Sequence, residues 1–121
     1  MARKDELGKR GEQLAARYLT KRGYRVVARN WRCKLGEIDL VVERSGELAI
    51  VEVKTRSSIA FGHPFEAITP AKAARLRRLT AQWCEEHEPV HHGVRVDAIA
   101  VIAPPGAGDD DVIIEHLVGI C

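Results

Sequence analysis

The sequence predicts an α/β fold in which helices pack against one sheet. Two long segments repeat apolar residues at three- and four-residue steps, a spacing typical of amphipathic helices. Shorter segments rich in β-branched residues are bounded by Gly, Pro and Ser, which is typical of strands. The predicted order is helix, three strands, helix, strand, strand. The 121 residues suffice for one core, so we expect a single domain over residues 1–121.

Most predicted elements begin or end at a recognisable signal. Gly23 follows two cations and ends the first helix. Ser45 and Gly46 predict a two-residue hairpin turn. Thr69 and Pro70 supply an N-cap hydroxyl and a proline at the first helical position, so a second helix begins there. The elements are therefore a helix at 5–22, strands at 24–28, 38–43 and 47–55, a loop at 56–68, a helix from 69 to about 87, a strand at 94–102, a loop at 104–111 and a strand at 112–118.

Composition excludes several classes of protein. Hydrophobic residues make up 45% and charged residues 30% of the chain, which excludes a disordered tail and a membrane protein. The charged N-terminus leads into no apolar run, so we expect no secretory signal and no membrane span. Cys33, Cys84 and Cys121 are widely spaced and odd in number, which fits a reducing cytoplasm better than a disulfide framework.

The charge is distributed unevenly. Residues 1–35 hold 11 Lys/Arg against 3 Asp/Glu, whereas the rest of the chain holds 8 Lys/Arg against 14 Asp/Glu. A basic N-terminal third suggests a surface for a polyanion such as nucleic acid. A solvated helix rich in Lys and Arg is an equally open explanation.

The central hairpin brings four charged residues together. If Ser45-Gly46 is a two-residue turn, Asp39 lies directly across from Glu52, and Glu37 lies across from Lys54. Residues two apart share a face of a strand, so all four would project from one side. A loop of three or five residues would shift this register.

Two opposed carboxylates among apolar neighbours are unfavourable unless a cation lies between them or one is protonated. Oxygen ligands favour hard cations, so Asp39 and Glu52 indicate a Mg²⁺ or Mn²⁺ site. Lys54 on the same face would orient an attacking water or stabilise charge on a phosphate. The alternative is a solvated ladder of Glu37–Lys54 and Asp39–Arg56 ion pairs, since charged faces are common on antiparallel sheets.

Both helices add candidates to this site. Glu12 lies on the predicted inner stripe of the first helix, where it would approach the metal, or else pair with Lys9 or Arg22. Lys72 lies in the first turn of the second helix, where it would reach a phosphate or cover apolar surface with its stem.

The sequence resembles the YraN family (uncharacterised protein family 0102). This is a family of small bacterial proteins that is grouped with the PD-(D/E)XK nuclease superfamily. The resemblance spans nearly the whole chain. It rests on Gly11-Glu12, 24–31, Gly36-Glu37-Ile38-Asp39-Leu40-Val41, Val51-Glu52-Val53-Lys54-Thr55-Arg56, Phe61-Gly62, Thr69-Pro70-Ala71-Lys72 and Arg95-Val96-Asp97. It implies a restriction-endonuclease-like three-layer core with a mixed sheet. It also implies similarity to the homodimeric, Mg²⁺-dependent archaeal Holliday-junction resolvases.

The resemblance also implies site residues. Asp39 matches the hairpin aspartate of the superfamily, Glu52 and Lys54 match its Glu-x-Lys, and Glu12 resembles the first-helix glutamate of resolvase-like members. The carbonyl of Val53 is, by the same resemblance, a metal ligand. Asp39, Glu52, Val53 and Glu12 would therefore hold the metal.

We therefore hypothesise a cytoplasmic, metal-dependent endonuclease that acts on branched or otherwise structured DNA. Glu12, Asp39, Glu52 and Lys54 would be its catalytic residues. The cations expected to contact phosphates are Lys9, Arg10, Arg56, Lys72 and Arg75. A non-catalytic nucleic-acid-binding module, or a structural partner of a replication or repair protein, remains an open alternative. A homodimer would allow symmetric cleavage of paired strands.

Three further groups of polar residues are weaker candidates. His87, His91 and His92 lie near Cys84 but lack the paired spacing of a structural zinc site. His63 and Glu66 are expected in a mobile surface loop, as are many substrate contacts. Arg95 and Asp97 are expected to form a structural ion pair.

Overall fold

The computed structural model describes residues 3–87 and 92–121. Five strands form one sheet in the order β1-β2-β3-β4-β5. The elements are α1 (Arg3–Lys21), β1 (Arg25–Cys33), β2 (Gly36–Arg44), β3 (Glu47–Arg56), a short 3₁₀ helix (Pro64–Ala67), α2 (Pro70–His87), β4 (Gly93–Ile102) and β5 (Ile113–Leu117). The predicted order of elements is confirmed.

The two helices cover opposite faces of the sheet. On one face Leu14 and Leu19 of α1 pack against a core that includes Val51 of β3. On the other face Leu79 and Trp83 of α2 pack against a separate cluster on the sheet. The predicted three-layer α/β fold is therefore confirmed. Within residues 3–87 and 92–121, no helix is long and apolar enough to cross a membrane.

The sheet is mixed because of one connection. β3 and β4 are parallel, and the chain between them passes through the 3₁₀ helix and α2. The other neighbouring strands are antiparallel. Since β3 lies at the centre of the sheet, its side chains belong to both cores: Val51 to the core under α1 and Ile50 to the core under α2.

The first strand is longer than predicted. It extends to Cys33 instead of ending at Ala28, and a two-residue turn at Lys34-Leu35 leads directly into β2. The pairing with β2 shifts between Val26 and Ala28, which is a β-bulge. The bulge and the polar residues that follow it interrupt the two-residue alternation of apolar and polar side chains. The predicted end of the strand at Ala28 therefore came too early in the sequence.

The expected mobile loop contains an ordered helix start. His63 is the N-cap of the 3₁₀ helix, accepting a hydrogen bond from the Phe65 N–H (3.1 Å). The Glu66 carboxylate accepts one from the His63 N–H in return (2.8 Å). This capping box, together with an ion pair between His63 and Glu115, gives His63 and Glu66 structural roles and corrects the expectation of a mobile segment.

Candidate functional site

The central hairpin has the predicted turn. Ser45 and Gly46 both have positive φ (54° and 80°), as a two-residue hairpin turn requires. The pairing runs from Arg44 opposite Glu47 to Leu40 opposite Val51. The predicted register is thus confirmed over this part of the hairpin.

The ladder does not continue to Asp39 and Glu52. No pairing beyond Leu40 and Val51 is formed between β2 and β3. Ile38 belongs to the core on the α2 side and Leu40 to the core on the α1 side, so the regular alternation breaks at Asp39. The Asp39 Oδ2 accepts a hydrogen bond from the Val53 N–H (2.8 Å). The expectation that Asp39 and Glu52 oppose each other as ladder partners is therefore wrong, although the two carboxyl groups still meet.

Asp39 is a carboxyl group in an unfavourable place for a negative charge. Burial and the neighbouring Glu52 carboxylate raise the pKa of Asp39 from 3.8 to about 8, and the charge of Glu12 adds to this effect. The Val53 N–H opposes it by stabilising the ionised form. Without a cation, Asp39 is therefore protonated over much of the neutral range.

Glu52 and Lys54 form a partly buried ion pair on β3. The Lys54 Nζ lies 3.2 Å from the Glu52 carboxylate, and the two side chains are only 19% and 17% exposed. Val51 and Val53 face α1, so Glu52 and Lys54 project from the α2 side of the strand. Glu52 is thus shared between an ammonium and a second carboxyl group.

A small cavity of about 160 Å³ lies between this pair and α2. Its polar lining consists of Glu37, Glu52, Lys54, Lys72 and Arg75. The Glu37 carboxylate pairs with Arg32 of β1 (3.1 Å). The Glu37–Lys54 ion pair of the alternative ladder is therefore not formed. Lys54 and Lys72 line the same cavity, and the nearby Lys54 ammonium lowers the pKa of Lys72. This cavity therefore gathers cations that a phosphate would neutralise.

Glu12 reaches the site from the opposite face. Its carboxylate accepts a hydrogen bond from the Asn30 Nδ2 (2.9 Å) instead of pairing with Lys9 or Arg22. Glu12 also lines a larger cavity with Lys54 and Arg56. Asn30 was missed by the sequence analysis because it lies beyond the predicted end of the first strand.

The described residues supply part of a ligand set. Among residues 3–87 and 92–121, no three His, Cys, Asp or Glu side chains form a group that could hold a metal ion. Asp39 and Glu52 do meet, next to the Val53 peptide. Glu12 as a direct ligand stays a prediction, and one of its carboxylate oxygens accepts the hydrogen bond from Asn30.

The predicted phosphate-binding cations fall into four groups. Lys72 and Arg75 line the cavity beside Glu52, whereas Lys9 lines another beside Glu12. Arg56 is exposed and donates to the Thr55 carbonyl (3.0 Å). Arg10 is held by the Asp109 carboxylate (3.0 Å) and the Ala107 carbonyl (2.7 Å), so it anchors a loop and is less available to a ligand.

A second polar network lies apart from this site. The buried Asp97 accepts hydrogen bonds from the Arg95 Nε (2.9 Å), the His116 Nε2 (2.8 Å) and the Gly119 N–H (2.9 Å). Arg95 also donates to the Tyr24 hydroxyl (2.6 Å). The expected Arg95–Asp97 ion pair is confirmed. His116 was missed because only the β4–β5 pairing brings it near Asp97.

The suggested zinc cluster receives no support from the described members. His87 stacks on Trp83 with ring centroids 3.5 Å apart, and its Nδ1 bonds to the Trp83 carbonyl (2.8 Å). The backbone N–H of His92 donates to the Gly46 carbonyl. His91 lies outside the described residues.

The fold and the site define an α/β protein with a partly buried carboxyl pair and a cluster of cations at the centre of its sheet. The chain belongs to the uncharacterised protein family UPF0102, whose family model matches residues 11–101. The resemblance found in the sequence is thereby confirmed at the level of the family.

Related proteins match over nearly their full length. The chain is 52% identical over 120 residues to the UPF0102 protein Lxx14785 of Leifsonia xyli subsp. xyli, covering 99% of each protein. It is 54% identical over 120 residues to a UPF0102 protein of Arthrobacter sp. strain FB24, again covering 99% of each. A UPF0102 protein of Frankia alni is 45% identical over 119 residues, covering 98% of this chain and 97% of the relative.

Proposed function

We propose that this protein is a metal-dependent endonuclease that hydrolyses phosphodiester bonds in DNA, with the chemistry of the PD-(D/E)XK superfamily. The observation that supports it most is the meeting of the Asp39 and Glu52 carboxyl groups beside Lys54. Two carboxyl groups that meet in a partly buried position are favoured when a proton or a cation lies between them. The sequence resemblance to that superfamily supports the same activity.

The oxygen donors at this position suit Mg²⁺ or Mn²⁺. The carboxylates of Asp39 and Glu52 and the carbonyl of Val53 would hold the ion. Mg²⁺ in proteins usually binds one or two carboxylates and keeps waters and substrate phosphate as its other ligands, so two carboxylates suffice. When bound, the ion would neutralise charge on the phosphate and lower the pKa of water.

The chain's own residues would position the reactants. Lys54, held against Glu52 at 3.2 Å, would donate a hydrogen bond to the attacking water or to a phosphate oxygen on which charge develops. Glu12, which contacts Asn30 on the α1 side, would accept a proton from that water. Lys72 and Arg75 would bind a neighbouring phosphate across the small cavity.

The test is a cleavage screen with linear, flapped and four-way-junction DNA in Mg²⁺ or Mn²⁺. We expect the wild-type chain to cleave at least one of them. Asp39→Asn, Glu52→Gln and Lys54→Met should each lower the rate by about 100-fold or more. Asp110→Asn is a matched control, because Asp110 is an exposed carboxylate in the 104–111 loop. Cleavage by Lys54→Met at the wild-type rate would contradict the proposed role of Lys54.

A binding module without turnover is the second candidate, and the cations at the small cavity favour it equally. In that case DNA binding would survive Asp39→Asn and would not depend on metal. A structural partner would bind no DNA even at low salt. The cytoplasmic location and the homodimer stay predictions.

A further inference from the structure

Phe61 is a large apolar side chain with no protein surface to cover it. It is 103% exposed, whereas no other large hydrophobic residue in the described part of the chain exceeds 59%. The phenyl ring therefore buries none of its apolar surface against the chain and would gain free energy by packing on a ligand or partner.

The turn that presents Phe61 is well ordered. Ala60 and Phe61 are the central residues of a turn closed by the Gly62 N–H and the Ile59 carbonyl (3.0 Å). Gly62 has a φ of 111° and packs so close to Glu66 that an added Cβ would lie 3.0 Å from its carboxylate. The capping box at His63 fixes the chain immediately afterwards. Phe61 is therefore held outward by local structure.

The turn is joined to the candidate site by a short cationic segment. Residues 53–65 contain Lys54 and Arg56 and no Asp or Glu. Ser57 lines the larger cavity together with Glu12 and Lys54. Phe61 follows Ser57 by four residues, which span at most about 14 Å, a few nucleotides along a DNA strand.

We propose that Phe61 stacks on an unpaired base of the DNA strand whose phosphates lie at Lys54 and Arg56. This role rests on the proposed function, since it presupposes nucleic acid at the neighbouring cavity. An aromatic side chain beside cations that track phosphates is the usual platform for unpaired bases. A base inside an intact duplex is already stacked on both sides. Phe61 therefore selects DNA with unpaired nucleotides.

The experiment measures binding in EDTA, where no cleavage occurs. Two DNAs of the same sequence are compared: a flapped duplex with 2-aminopurine at its first unpaired position, and the fully paired duplex. Phe61→Leu should weaken binding to the flapped DNA by about tenfold and abolish the stacking quench of 2-aminopurine. Its affinity for the paired duplex should be unchanged, and Phe61→Trp should behave as wild type.

Phe61→Leu keeps an apolar side chain, so it separates stacking from simple hydrophobic contact. Val118→Ala is a matched control, because Val118 is 56% exposed in another part of the chain. Equal affinity and quenching in Phe61→Leu and wild type, or an equal loss on both DNAs, would overturn the stacking role. Binding through Phe61 without cleavage in Mg²⁺ or Mn²⁺ would overturn the nuclease and leave this role standing. Failure of the wild type to bind either DNA in EDTA, together with no cleavage in Mg²⁺ or Mn²⁺, would overturn both.

Discussion

Gly11 of α1 and Thr55 of β3 lie so close that no side chain fits between them. A Cβ added to Gly11 would lie 2.8 Å from both the Cβ and the Cγ2 of Thr55 and closer still to its Oγ1. Glu12 is the next residue on α1, and Lys54 precedes Thr55 on β3. This contact therefore fixes the distance between the two sides of the candidate site.

Gly11→Ala should push α1 away from β3. Because the clash involves the Thr55 Cβ, whose position is set by the backbone of a central strand, we expect a loss of about 1–3 kcal/mol in the free energy of unfolding, as in other overpacked contacts. Displacement of Glu12 should also lower cleavage in Mg²⁺. Chemical denaturation and the cleavage screen measure the two effects.

Gly8→Ala is the matched control on the same helix. A Cβ added to Gly8 meets nothing within 4 Å. We expect it to stabilise α1 by about 0.5–1 kcal/mol, because alanine is the better helix former. If both substitutions changed stability in the same direction, the close contact would not be the cause.

The hairpin shows how far sequence patterns locate the site. The turn at Ser45-Gly46 and the alternation of apolar residues determined the register correctly as far as Leu40. The break at Asp39 has no sequence signal, because it depends on how Ile38 packs beneath α2. The hairpin spacing indicated Asp39 and Glu52 and the family resemblance implied the same pair, whereas their hydrogen bonds required coordinates.

Sequence patterns failed mainly to predict side-chain contacts between segments that are far apart along the chain. Asn30 meets Glu12 only because β1 continues past its bulge, and His116 meets Asp97 only through the pairing of β4 and β5. Neither partner lies at a fixed spacing along the chain. Local periodicity therefore predicted the elements well and the polar networks between them poorly.

Asp39 should make stability fall as pH rises in the absence of metal. Its pKa is about 8 in the folded chain against 3.8 as the reference value. The folded state therefore keeps a proton that the unfolded state has lost. The contribution of protonated Asp39 to the free energy of unfolding is complete below about pH 4 and is lost as the pH rises to about 8.

Asp39→Asn removes this titration and keeps an oxygen to accept the Val53 N–H. In EDTA we expect the variant to be more stable than wild type by about 2–5 kcal/mol at pH 8.5, with the gap closing towards pH 4. Mg²⁺ or Mn²⁺ should raise the melting temperature of wild type more than that of the variant. The measurement is thermal unfolding of wild type and Asp39→Asn in EDTA at several pH values. If the stability of the two proteins changed with pH in parallel, the raised pKa of Asp39 would be contradicted.

Asp97 should have the opposite pH dependence. Burial disfavours its ionised form, but hydrogen bonds from His116, Arg95 and the Gly119 N–H outweigh burial and lower its pKa. The stability it provides is present above the unfolded pKa, near 3.8, and is lost as the pH falls through the lower folded value. Wild type should therefore lose stability steeply below about pH 4.

Asp97→Asn should destabilise the chain by about 3 kcal/mol at pH 7, because it removes the buried charge that accepts hydrogen bonds from Arg95, His116 and the Gly119 N–H. Its stability should vary less with pH below 4 than that of wild type. Asp110→Asn, whose side chain is 92% exposed, should match wild type. Denaturation at several pH values tests this, and an unchanged midpoint for Asp97→Asn at pH 7 would show that the network adds no stability.

Lys72 and Arg75 should each account for part of the salt dependence of DNA binding. Both line the cavity beside Glu52, and within the described residues neither forms an ion pair with an acidic side chain. If each neutralises one phosphate, the double variant Lys72→Ala/Arg75→Ala should reduce the slope of log K against log salt by about 1.8 for duplex DNA. Arg77→Ala/Arg78→Ala removes the same charge from exposed positions of the same helix and should leave the slope nearly unchanged. Equal slopes for the two double variants, measured by fluorescence anisotropy from 50 to about 200 mM salt, would mean that net charge rather than this cavity attracts the DNA.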